Sequence, residues 1–99
     1  MSNDSPGVLQ ALEKLAEHGW VPLRSMAVLL GYNELRGIYQ RQRGRNAIPA
    51  IKVGGQYRVY EDVVIRTLEA ETGYMHEHDQ MVLRMYRAIK KQEKEDGQR

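Results

Sequence analysis

The stretch "IPAIKVGGQYRVYED", residues 48–62, decides how this chain is read. Two short alternating runs meet at Gly54-Gly55, the pattern of a β-hairpin. An isolated hairpin is marginal in water, so this one must lean on other elements. Its register has two options. A two-residue loop at Gly54-Gly55 pairs Val53 with Gln56 and Ile51 with Arg58, which mixes apolar and charged side chains on each face. A three-residue loop, Gly54-Gly55-Gln56, pairs Val53 with Tyr57, Lys52 with Arg58 and Ile51 with Val59. It gathers Ile51, Val53, Tyr57 and Val59 on one face and leaves Lys52 and Arg58 on the other. A slip of one residue turns every side chain to the opposite face, and three-residue loops with a left-handed glycine are common. The sequence therefore predicts the three-residue loop, with the apolar face packed on helices.

Those helices are legible on both sides. Ser5-Pro6 reads as an N-cap and first helical residue. Val8, Leu9, Leu12, Leu15 and Ala16 then recur at helical spacing, predicting a helix over 6–18 that stops at Gly19. Trp20-Val21-Pro22 is a short extended segment. A second helix is expected over 23–30, ended by Gly31. Asn33 can cap a third over 34–43, with Leu35, Ile38 and Tyr39 as its buried face and Gly44 at its end. After the hairpin, residues 61–72 form a fourth helix, with Val64, Ile65 and Leu68 inward and Gly73 as breaker. Residues 74–95 form a fifth, on which Met75, His78, Val82, Met85 and Ile89 follow a heptad-like spacing. That seam serves either as core against the first helix or as a dimer interface. Residues 1–5 and 96–99 are expected to be disordered.

Charge is distributed more sharply than the net value of +2 suggests. Residues 20–60 hold seven bases, Arg24, Arg36, Arg41, Arg43, Arg45, Lys52 and Arg58, against the single acid Glu34. Residues 61–79 hold six acids against Arg66 alone. A local basic block is the footprint of a polyanion partner. The chain has no cysteine, which excludes disulfides, cysteine-ligated zinc and thiol catalysis. "MSNDSPG" has none of the features of a secretory signal, and no run approaches the length that crosses a bilayer, so a cytoplasmic protein without membrane association is expected.

Two adjacent helices, a hairpin and a further helix describe a winged helix-turn-helix: a mostly α fold with a two-stranded hairpin wing, spanning 6–73, flanked by an N-terminal helix and the long C-terminal helix. Within it, "WVPLRSMAVLLGY" followed by "IPAIKVGGQYRVYEDVVIRTL" resembles the excisionase-like DNA-binding domains of phages and mobile elements, which belong with the AlpA-like and MerR-type winged helices. The resemblance covers about half the chain. Pro49, Lys52, Val53, Gly54, Gly55, Tyr57, Arg58 and Asp62 carry its most specific part. It departs from the pattern between Gly31 and Pro49, where this chain is about two residues longer. Gly37 also stands where a better helix former is expected, at a cost of up to ~1 kcal/mol relative to alanine.

The resemblance implies double-stranded DNA as partner, with the third helix in the major groove and the wing on a neighbouring minor groove or its phosphates. Residue chemistry agrees: arginine reads guanine, glutamine reads adenine, and wing cations position on the backbone. The candidate DNA-binding residues are Arg24, Asn33, Arg36, Gln40, Arg41, Arg43, Arg45, Lys52, Gln56 and Arg58. The implied role is an accessory factor, either an excisionase acting with a site-specific recombinase or a transcriptional regulator, as a homodimer or a cooperative assembly on DNA. A small terminase-like DNA-recognition subunit and a module binding an acidic protein are the other readings.

No enzyme, cofactor or metal is expected. "HEHDQ", residues 76–80, places two histidines two apart, off a common helix face, and reads as a solvated helix start. "KVGGQ" lacks the glycine spacing and Lys-Ser/Thr ending of a phosphate-binding loop.

Overall fold

Helix formation begins at Asp4, two residues before the expected start, in a computed structural model that describes residues 4–32, 34–70 and 76–97. Pro6 then lies inside the first turn of α1 (Asp4–His18), where its missing N–H has no intrahelical acceptor in any case. Asp4 and Ser5 are thus helical, not part of a disordered terminus. The remaining order is β1 (Trp20–Pro22), α2 (Leu23–Leu29), α3 (Leu35–Gln42), β2 (Ile51–Val53), β3 (Gln56–Tyr60), α4 (Glu61–Ala70) and α5 (His76–Gly97). The chain is mostly helical with one small antiparallel sheet. Asn33, the expected cap of α3, and Tyr74 and Met75, the expected start of α5, lie outside the described residues.

The sheet corrects the sequence reading twice. It has three strands, in the order β1-β3-β2, because the extended segment at Trp20 pairs with β3. Trp20, Val21 and Pro22 stand opposite Tyr60, Val59 and Arg58. The hairpin loop has two residues, not three: Val53 faces Gln56, Lys52 faces Tyr57 and Ile51 faces Arg58. Both glycines take positive φ, 57° at Gly54 and 83° at Gly55. A two-residue turn of the hand that matches strand twist needs that conformation at both central positions. The turn chemistry overrides the alternation because the hairpin tip projects beyond the core. Val59 is fully buried beside Val21, whereas Ile51 is 58% and Tyr57 48% exposed. The expected apolar face therefore does not form, and Lys52 and Arg58 lie on opposite faces.

One core holds the remainder. It takes Val8, Leu12 and Leu15 from α1, Met26 and Leu29 from α2, Ile38 from α3, Val64 and Leu68 from α4, and Val82, Leu83 and Tyr86 from α5. The buried stripe of α5 is wider than the expected seam, since Leu83 and Tyr86 join Val82 while Met85 and Ile89 are only partly covered. The start of α5 is not solvated as expected. His78 is half-buried and donates from Nε2 to the Leu29 carbonyl at 3.1 Å, and Asp79 is fully buried. Tyr86 donates to the Glu61 carboxylate, tying α5 to α4.

Candidate nucleic-acid interface

The end of α2 sets the direction of α3. Gly31 sits at φ 81°, its N–H reaches the Val28 carbonyl at 3.1 Å, and the Tyr32 N–H reaches the Ala27 carbonyl at 3.0 Å. This pair of bonds is a Schellman ending, which glycine adopts without strain. Tyr32 then packs against Gly37, where a Cβ would stand 3.2 Å from the tyrosine ring. The poor helix former at 37 is accounted for by this close approach. It lets α3 lie on the segment leaving α2.

Only Ile38 of α3 is fully buried. At 100° per residue, Arg41 falls on the inward side with Ile38. There its Nε donates to the Asn46 carbonyl at 2.8 Å and its Nη1 to the Tyr32 hydroxyl at 3.3 Å. Its expected place on the outer face is thereby corrected: Arg41 braces the loop behind the helix. Gln42 acts beside it. Its Nε2 donates to the Ile48 carbonyl at 2.9 Å and its Oε1 accepts from the Ile48 N–H at 2.6 Å. This two-way clasp fixes residues 43–50 between α3 and the hairpin.

The outer arc of α3 holds Leu35, Tyr39, Arg43, Arg36 and Gln40, all exposed. Leu35 is 45% and Tyr39 49% exposed, so neither belongs to the buried face expected of them. Beside this arc a groove is lined by Pro22, Leu23 and Arg24 at the start of α2, Tyr39 of α3, and Gly55, Gln56 and Tyr57 at the hairpin tip. A second shallow groove continues past Arg24 along Lys14, Val28 and Leu35. Arg24 belongs to both, so α1, α2, α3 and the hairpin share one continuous surface.

Of the ten sequence candidates, Arg24 and Gln56 line these grooves, and Arg36, Gln40 and Arg43 are exposed on the arc of α3 beside them. Arg45 is exposed in the loop after α3. Lys52 is exposed on β2, with Nζ 5.7 Å from the Tyr57 ring centroid. Arg58 is placed differently. Its guanidinium lies 4.0 Å from the Trp20 ring centroid, and its Nε is sealed from solvent without a hydrogen-bond partner among the described residues. Asn33 lies outside the described residues. Sequence reasoning missed Lys14, Leu35, Tyr39 and Tyr57 as surface groups because it assigned three of them to the core. It missed Gln42 because no spacing marks a side chain that bonds a loop six residues on.

Ion pairing divides the molecule. Among the described residues, Arg66 pairs with Asp62 at 3.4 Å, Arg87 with Glu69 at 3.5 Å and Lys90 with Glu61 at 3.7 Å, all on α4 and α5. No carboxylate among them pairs with Arg24, Arg36, Arg43, Arg45 or Lys52. No helix among the described residues is long and apolar enough to cross a membrane. No family model, curated protein or solved structure matches the chain.

Proposed function

We propose that this chain is a winged helix-turn-helix DNA-binding protein, with α3 in the major groove and the β2–β3 hairpin as the wing on the adjacent minor groove or phosphates. The observation that carries this reading is the shared surface at Arg24. It brings the outer arc of α3 and the hairpin tip to one side, and the cations around it have no carboxylate partner among the described residues. A helix of this diameter fits the major groove, and its arginines and Gln40 have the donor and acceptor sets that read guanine and adenine. The unpaired cations supply backbone contacts.

The resemblance to excisionase-like domains extends the proposal to an accessory factor of a phage or mobile element, acting on recombination or on transcription. The helix that would assemble a packaging subunit gives its apolar face to α1 and α4 instead, which favours the accessory role. Titration of duplex DNA at several salt concentrations tests the reading. If Arg24, Arg45 and Lys52 each neutralise a phosphate while the arginines of α3 read bases, log K falls against log salt with a slope near −2.7, at about 0.9 per contact. A slope flatter than about −1 removes the cation cluster from the interface, and no binding to any duplex ends the proposal. Footprinting on the DNA flanking its own gene then locates the site.

A further inference from the structure

Leu35 and Tyr39 are large side chains with about half of their surface exposed. They are adjacent on the exposed arc of α3, about 40° apart around the axis, with Arg43, Arg36 and Gln40 following on the same arc. Neither reaches the core, in which Ile38 alone represents this helix. Within this cationic surface the Leu35 side chain and the ring of Tyr39 gain nothing from phosphates, which only the Tyr39 hydroxyl can contact. Their apolar surface gains from an apolar group that lies among hydrogen-bonding base edges. In duplex DNA the major groove has one such group, the C5 methyl of thymine.

We infer that Leu35 and Tyr39 are specificity-determining residues, and that the target duplex presents thymine methyls to them in the major groove beside the bases read by Arg36, Gln40 and Arg43. This rests on the DNA-binding reading and names what that site selects. Arg36 and Arg43 favour guanine, Gln40 favours adenine, and the apolar pair requires thymine on the neighbouring steps. The site is therefore of mixed composition, not a uniform A·T tract. Tyr39 also lines the groove shared with Gln56 and Tyr57, so its thymine lies on the side of the duplex nearer the wing.

The test separates the two levels. The full chain first selects duplexes from a random pool. The enriched duplex is then synthesised with deoxyuridine replacing each thymine in turn, which removes one methyl and leaves base pairing intact. Binding is read by fluorescence anisotropy for the wild type, Leu35→Ala and Tyr39→Ala, with circular dichroism confirming that both variants fold. At one or two positions uracil weakens wild-type binding about fourfold, the worth of one buried methyl. At the same positions the matching variant is indifferent to the substitution, since the pair is coupled. If uracil is tolerated at every position, or costs the wild type and both variants equally, the inference falls while the DNA-binding reading stands. If no duplex is enriched and none is bound, both fall, and the apolar pair belongs to a protein contact.

Discussion

Arg58 is the basic residue whose role the structure changes most, and removing it gives a quantitative test. The guanidinium carbon lies over the Trp20 ring, 4.0 Å from its centroid, across the β1–β3 pairing. Such a cation–π contact contributes ~0.5–1 kcal/mol at an exposed site and ~2 kcal/mol when desolvated. Arg58 is half-buried and its Nε is sealed, which places Arg58→Ala at about 1–2 kcal/mol of lost stability. For a domain of this size each kcal/mol moves Tm by about 4–8 °C, so a fall of roughly 5–15 °C is expected. Arg58→Lys keeps the charge but not the planar stack, and recovers only part of the loss. Trp20 is the only tryptophan in the chain, so its emission reports the stack directly. A cycle with Trp20→Leu isolates the pairwise energy, expected at about 1 kcal/mol. If Arg58→Ala leaves Tm and Trp20 emission unchanged but weakens duplex binding, the stack carries no stability and Arg58 is a phosphate contact alone.

Three further outcomes follow from the packing. Gln42→Ala leaves the Ile48 N–H and carbonyl without their clasp, and urea titration should show a loss of about 1–3 kcal/mol; a loss below 0.5 kcal/mol means water replaces the amide fully. Deleting residues 76–99 removes Val82, Leu83 and Tyr86 from the core, each worth ~1.5–3 kcal/mol, which together rival the whole stability of a small domain. That truncation should give an unfolded circular dichroism spectrum, and a cooperative melt from it would refute the core role of α5. Burial, and then the bond to Glu61, hold the Tyr86 hydroxyl above the ordinary tyrosine range. The folded state therefore retains this proton after the unfolded chain has lost its own. The resulting stability is complete below about pH 10 and declines as pH rises beyond it. Tyr86→Phe should show a flatter alkaline limb than the wild type in stability measured from pH 9 to 12, and parallel limbs would sink the assignment.

The sequence reveals element positions more readily than faces, for reasons visible in particular residues. Gly31, Gly54-Gly55 and Pro22 punctuate the chain, and punctuation survives whatever packs nearby. Alternation points to the wrong hairpin register because it implies that a whole face is buried. Here the sheet needs only Val21 and Val59 inside, and the positive-φ pair of glycines sets the turn. The third strand has no signal of its own: three residues are too few to show a period, and Pro22 argues against a strand until it is seen to occupy an edge. On α3 the choice of the inward residue decides the reading. A wheel centred on Ile38 puts Gln42 about 40° away, Arg41 about 60° away and Tyr39 about 100° away. It turns Arg41 inward and Tyr39 outward, whereas hydrophobicity alone gives the reverse. The cation surface was legible as a block of sequence, but Lys14 was not, because it reaches that surface from α1.

On the proposed DNA-binding reading, the placement of α3 would let so short a helix serve as a reading element. Eight residues with one buried side chain cannot fix an orientation by hydrophobic packing. The orientation comes instead from polar and steric contacts on the inward side: the Tyr32 ring against Gly37, Arg41 on the Tyr32 hydroxyl and the Asn46 carbonyl, and Gln42 on the Ile48 backbone. Hydrogen bonds are directional where apolar packing is not, so this set determines rotation about the helix axis as well as position. Rotation is the variable that matters for a base-reading surface. A turn of 60° would move Gln40 or Leu35 off the outer arc. Substitutions at Gln42 and Gly37, neither of which lies on the outer arc, should therefore relax discrimination between DNA sequences more than they weaken binding to random duplex. The opposite order, with general affinity lost first, would mean that the inward contacts support stability alone.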